Sequence, residues 1–348
     1  MKILDIAYSL PTKKVTNSDL ISWALEASKK HLARVELKAL EDRISQFFTS
    51  SGSGVRYHRA AGERAIDFAV SAGRKVLAKA GMAPEDVDLL IYTGVGRGWV
   101  EPATANLFHS ELGLSRATCF DVLDACASWI RGLSIAKSFL DQASYKVVML
   151  MNCEFNFREY CESNLEFRSV EEVESHFSAL TIGEAATATL LTHDNSASDD
   201  SSFTFRSWGD KHGLCKVPLP NDLDFSPRSV ESLLRPMTFF TASKELIRFT
   251  TRKLIAHFRE TSAVANRVHD LIVGHTVSES LTSKVVSMLG LDSSTVFETH
   301  GRFGNTVSAS LPLALAVAAE EGRLVRDMRV LLLMGSAGVT TAVGSFRY

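Results

Sequence analysis

The stretch 120-FDVLDACASWIRGLSIAKSFL-140 runs from an extended apolar segment into a helix and sets one cysteine, Cys126, at the joint. The first-turn N–H groups and dipole of a helix favour negative charge. That placement predicts a thiol with a lowered pKa, suited to act as a nucleophile. The small neighbours Ala125 and Ala127 leave room for a thioester to approach. A buried structural thiol is the competing use of the same residue. The rest of the chain decides between them.

Outward from this joint, strand-like runs alternate with amphipathic helical segments, which predicts an α/β fold. Upstream, the helical "AIDFAVSAGRKVLAKAGM" leads into the strand "LLIYTGVG", the helical "PATANLFHSELGL" and the extended "ATCFDVLDA". Downstream come two more strands, "YKVVMLMNCE" and "GEAATATLLTH". Between them the polar, acid-rich segment 155–180 reads as a cap or surface insertion. The loop-like 195–201 and the Gly-, Pro- and Asp-rich 208–235 mark the best internal boundary. Beyond it the order recurs: helix "ASKELIRFTTRKLIAHFRE", strand "DLIVGH", helix "SESLTSKVVSMLG", helix "TVSASLPLALAVAAEEG" and a closing strand pair. Two halves of one α/β fold are predicted, 1–208 and 209–348.

Composition excludes several function classes. The 348 residues suffice for a large core or two fused halves, and 38 basic residues against 40 acidic ones leave a formal charge of −2. No whole-protein field favours nucleic acid or an anionic membrane. No run approaches the ~18 apolar residues of a membrane span, and the N-terminal stretch lacks a signal-peptide pattern. The cysteines are Cys119, Cys126, Cys153, Cys161 and Cys215, odd in number and without the paired spacing of a zinc site. Free thiols in a reducing cytoplasm and no bound metal are the expectation.

Two further polar residues punctuate the second half. His275 ends "DLIVGH", so its ring projects from the C-terminal end of a strand, the edge where open α/β sheets bind ligands. Asn305, in "HGRFGNTVSAS", precedes a small-residue helix, where a turn or helix cap is the bland use. Together, a cysteine, a histidine and an asparagine at three such junctions form a set. The thiol can accept an acyl group, and the imidazole and amide can donate hydrogen bonds to a thioester carbonyl as it becomes an enolate.

At these motifs the chain resembles the β-ketoacyl-acyl-carrier-protein synthase III branch of the thiolase superfamily. The resemblance spans nearly the whole length. It rests on "GSGVRYHRA", "FDVLDACASW", "GEAATATLL", "IVGHTVS", "GRFGNTVSASLPLAL" and "LLLMGSAGVTTAVGSF". It implies a five-layered α-β-α-β-α thiolase fold in a homodimer, with Cys126 as acyl acceptor and His275 and Asn305 at the second thioester. It also implies a loop, Gly335, Ser336, Ala337 and Gly338, that closes over the cysteine and lends a backbone N–H to its oxyanion. No permanently bound cofactor is implied. CoA or phosphopantetheine thioesters are the substrates, and an acyl carrier protein is the partner.

The sequence departs from fatty-acid starter synthases at the histidine, where "GHTVSESLTSK" carries no arginine between His275 and Lys284. Trp129 replaces a phenylalanine after the nucleophile, which would reshape the acyl pocket or simply pack. "VEPATA" resembles the branch that joins two acyl thioesters head to head. There the glutamate matching Glu101 reaches into the partner subunit as a base; at a helix start before proline, the dipole alone also favours it. The function expected is Claisen condensation of acyl thioesters in specialised lipid or polyketide formation. Its rivals are an acyltransferase acting on a hydroxyl or amine, and a non-catalytic subunit of a heterodimeric synthase.

Overall fold

The computed structural model describes residues 1–194, 200–225, 234–275 and 277–348. Two mixed sheets dominate. The first contains β1 (Lys2–Ser9), β2 (Leu89–Tyr92), β3 (Thr118–Asp121), β4 (Val147–Glu154) and β5 (Ala185–Thr192), in spatial order β1-β5-β4-β2-β3. The second contains β6 (Ser202–Ser207), β7 (Leu271–Gly274), β8 (Arg329–Ser336) and β9 (Thr340–Arg347), in order β7-β8-β9-β6. In the first, β2 and β4 run parallel while β5 is antiparallel to both β4 and β1. In the second, β7 and β8 run parallel while β9 is antiparallel to both β8 and β6. A parallel bridge from Ile272 to Val296 stands where β3 stands in the first sheet. The duplication expected from element order is therefore present in strand order and direction. β6 joins the second sheet, so that sheet begins before the expected boundary at 208/209. The polar run of sequence before β6 hid the switch.

The principal helices are α1 (Asn17–Ser28), α2 (Arg34–Ser51), α3 (Ala65–Ala80), α4 (Ala105–Leu112), α5 (Ser128–Asp141), α6 (Ser243–Glu260), α7 (Glu279–Met288) and α8 (Ser310–Glu320). Strand alternation builds the layers, because successive side chains point to opposite faces. In β8, Val330, Leu332 and Met334 face the centre and Leu331 and Leu333 face outward. In β4, Val148 and Leu150 face the centre and Met149 and Met151 face outward. α5 and α8 fill the central layer between the sheets. α8 is buried along its whole face from Ser310 to Ala318, which suits a helix that is apolar all round. α3 and α4 cover the first sheet, and α6 and α7 cover the second. Five layers, α-β-α-β-α, result.

The acid-rich 155–180 segment is a cap with a core of its own. Phe157, Tyr160, Leu165, Phe167 and Leu180 pack with Leu20, Leu40, Ile44 and Phe48 of α1 and α2. Its charges face outward, which hid that core from a composition reading. Among the described residues no helix is long and apolar enough to cross a membrane.

One glycine shows how tightly the halves interlock. A Cβ on Gly183 would lie 1.9 Å from the Phe303 carbonyl oxygen, and the Gly183 N–H donates to the Asn305 carbonyl at 3.0 Å. Gly183→Ala is expected to cost about 1–3 kcal/mol, read by denaturant unfolding. An unchanged midpoint would mean that the 303–305 loop gives way freely.

Candidate active site

Cys126 sits on a 3₁₀ turn, Ala125–Ala127, between β3 and α5. Ala125 has φ 47°, in the left-handed region that costs a residue with a Cβ roughly 1–2 kcal/mol. Neighbours hold this elbow in place. The Ser128 hydroxyl donates to the Ala125 carbonyl at 2.7 Å and accepts from the Asp124 N–H at 2.8 Å. The Ser336 hydroxyl donates to the Asp124 carbonyl and accepts from the Ala127 N–H, each at 3.2 Å. Arg131 pairs with the Asp124 carboxylate at 2.8 Å. Asp124, Ser128 and Arg131 were silent in the sequence because their role is to brace a turn whose shape exists only in the fold.

The lowered thiol pKa expected at a helix start does not result. Burial pushes the Cys126 thiol up, only partly opposed by its own backbone N–H and the Ser336 hydroxyl. The cysteine precedes α5 and points into an apolar cavity, where desolvation of a thiolate outweighs the helix-end field.

His275 follows β7, its N–H donating to the Leu333 carbonyl at 3.0 Å. Burial, and secondarily His300, pushes its pKa down to about 4, so the imidazole is neutral through the physiological range. Its Nδ1 has no hydrogen-bond partner among the described residues. Asn305 is held at both ends of its backbone, through Thr181 and Gly183. Its Oδ1 accepts from the Val307 N–H at 2.9 Å, which orients the amide and leaves Nδ2 as the donor available to a ligand.

Cys126, His275 and Asn305 line one cavity of about 300 Å³, together with Gly335, Ser336 and Ala337. Two residues that follow strands, Cys126 and His275, and one between two helical turns, Asn305, thus converge from both halves on one space. Gly338 and Trp129 are not on its wall. The Trp129 side chain is fully buried in the central layer, and its indole N–H donates to the Thr189 hydroxyl at 3.1 Å. Of the two uses its position allowed, this placement matches packing. Glu101 is exposed and away from the cavity of its own chain, on a loop anchored where the Thr104 and Ala105 N–H groups meet the Asp121 carboxylate at 2.8 and 2.9 Å. Cys215 had no visible reason in sequence to approach the nucleophile, yet it lines the same cavity, its thiol pushed up to about 11 by burial.

Comparison with known proteins agrees with this architecture. Residues 260–348 match the family described as 3-Oxoacyl-[acyl-carrier-protein (ACP)] synthase III C terminal. The chain is 25% identical over 341 residues to the β-ketoacyl-acyl-carrier-protein synthase III of Symbiobacterium thermophilum, covering 96% of this chain and 99% of that protein. It is 28% identical over 290 residues to the acyl-CoA:acyl-CoA alkyltransferase of Xanthomonas campestris, covering 80% and 81%. In fold, it superposes on Xanthomonas campestris OleA, solved with bound lauric acid and lauroyl-CoA, with a TM-score of 0.81 at 22% identity over 99% of this chain and 98% of OleA. The Aquifex aeolicus 3-oxoacyl-acyl-carrier-protein synthase III gives a TM-score of 0.80 at 23% identity, over 100% and 99%. Duplicated sheets around two central helices, with the cavity where the halves meet, define a thiolase-fold protein. In sequence the chain is similar to β-ketoacyl synthase III proteins along nearly its whole length, and in fold it resembles OleA as well.

Proposed function

We propose that this protein condenses two acyl thioesters, in specialised lipid or polyketide formation. The observation that carries the reading is the single cavity holding a thiol, a neutral imidazole and an amide donor. Cys126 Sγ attacks the carbonyl of a CoA or carrier-protein thioester, and the departing thiolate takes the proton lost by the cysteine. The resting thiol is protonated and His275 is neutral, so attack requires the proton to move as the S–C bond forms. The second thioester then places its carbonyl oxygen between His275 and Asn305, whose N–H donors stabilise the enolate. Enolate carbon attacks the acyl-Cys126 carbonyl; the C–C bond forms as the S–C bond breaks, and the Cys126 thiolate takes up the proton released on enolate formation or, after loss of CO₂, one from solvent. Incubation with a panel of acyl thioesters, read by intact-protein mass and product mass, tests the proposal. A Cys126 acyl adduct that yields an ester or amide instead of a ketone product would make it an acyltransferase. Absence of any adduct would leave a scaffold subunit.

The source of the enolate depends on Glu101. A second copy set along the β3 edge of the first sheet would meet Leu123, which follows β3, is 60% exposed and lines the cavity, and the loop carrying exposed Trp99, Val100 and Glu101 leads into a segment anchored to Asp121 of that strand. In such a homodimer Glu101 would enter the partner's cavity as the base. Glu101→Gln is then expected to load acyl groups normally and to lose condensation of non-malonyl donors by about 10²–10⁴-fold. Malonyl donors, which lose CO₂ instead of a proton, are expected to be spared. Equal activity of Glu101→Gln and wild type on all donors excludes the base role.

A further inference from the structure

Part of the cavity extends between α6, α7 and the second sheet, where Thr250, Leu254, Leu281, Thr282 and Val285 form its wall. Among its apolar side chains, Thr250 and Thr251 of α6 and Thr282 of α7 bring hydroxyl groups to the wall. The Thr250 hydroxyl is occupied, donating to the Leu246 carbonyl of its own helix at 2.7 Å. Thr282 is placed differently. It packs onto Gly274, where a Cβ would lie 2.4 Å from the Thr282 Oγ1, so the glycine makes room for this hydroxyl.

Behind Thr282 stands Glu298. The bridge from Ile272 to Val296 runs parallel, which puts Glu298 level with Gly274 and on the same face. The carboxyl lies beside the Thr282 hydroxyl; both its oxygens are buried and, among the described residues, neither completes a hydrogen bond of standard geometry. Burial, with the nearby Glu279 charge, pushes its pKa up to about 8. A carboxyl buried this way carries a desolvation cost that an apolar side chain would avoid. Neither acyl loading at Cys126 nor the enolate donors use it.

We propose that Thr282, backed by Glu298, is a specificity determinant that reads a hydroxyl group on the acyl chain lodged in this arm. The inference rests on the acyl-binding reading of the cavity. A threonine hydroxyl has one donor and two acceptor positions. When Glu298 donates its proton to Thr282, the threonine O–H turns to the cavity; when Glu298 accepts instead, the threonine lone pairs face it. A chain hydroxyl can partner either arrangement, and a methylene neither. Thr282 touches the chain, and Glu298 is a positioning residue that acts through it.

The test uses Cys126→Ala, which blocks loading, and measures calorimetric binding of saturated fatty acids against positional series of their hydroxylated counterparts of equal length. At least one hydroxylated isomer is expected to bind about ten-fold tighter than the saturated acid. Adding Thr282→Val should erase that preference, Thr282→Ser should retain it, and Glu298→Leu should reduce it without weakening binding of the saturated acid. No preferred isomer, or a preference that survives Thr282→Val, overturns the proposal. A preference unchanged by Glu298→Leu removes Glu298 from it. In the protein with Cys126 intact, acyl loading is measured separately; its failure would overturn the condensing reading while leaving chain recognition standing.

Discussion

Cys126→Ala is expected to abolish acyl loading, a loss on the order of 10³-fold or more, since no other group supplies the nucleophile. Cys126 alone combines a constrained elbow, Ser336 and the shared cavity with His275. Cys153 and Cys161 are buried in the first outer layer and the cap, away from the cavity wall. Cys215 is the competitor that the fold introduces, because it shares the wall and is also kept protonated by burial. It lies on a two-residue strand paired with Phe240–Thr241 and lacks the strained turn that aims Cys126. Peptide mapping after exposure to acyl-CoA decides the matter. Label on the Cys215 peptide in wild type would move the nucleophile across the cavity.

His275→Ala and Asn305→Ala are each expected to keep loading and to lose about 10²–10³-fold in condensation, the effect of removing one oxyanion donor (~2.7–4 kcal/mol). Rapid-quench measurement of the two half-reactions separates the effects; unimpaired condensation in both variants would remove them from the mechanism. The histidine also sets a pH dependence. Its pKa is lowered, so it stays neutral above about 4, whereas an ordinary histidine gains a proton near 6.5. Condensation should therefore show no histidine-linked fall between pH 8 and 5, and decline as pH drops toward 4. The same shift is a stability term: an unfolded chain binds the proton first, so the contribution of neutral His275 is complete above pH 6.5 and is lost as pH falls toward 4. A rate midpoint near 6.5 would show that water reaches the ring in solution.

Much of this was legible from local pattern. Strand and helix periodicity disclosed two α/β halves, because apolar spacing directly reports which faces are buried. Junction residues Cys126, His275 and Asn305 stood out because each interrupts such a pattern with a polar group. Glu101 stood out only by resemblance, and the single chain leaves it exposed.

What sequence could not supply was the balance of energies inside the assembled cavity. A helix start favours a thiolate, a local rule visible in sequence; desolvation depends on residues from six or more elements and overrides it at Cys126. Trp129 follows the nucleophile in sequence but turns into the central layer, since the helical period carries the next residues away from the cavity. Cys215 and Thr282 reach that space from distant segments, and Glu298 stands behind it because a strand-like bridge sets it beside Gly274. Local spacing thus determined the two-half α/β chain and its three candidate site residues. Tertiary packing alone decided which side chains share the cavity and which charges it admits, because burial is a property of the surroundings and not of the residue.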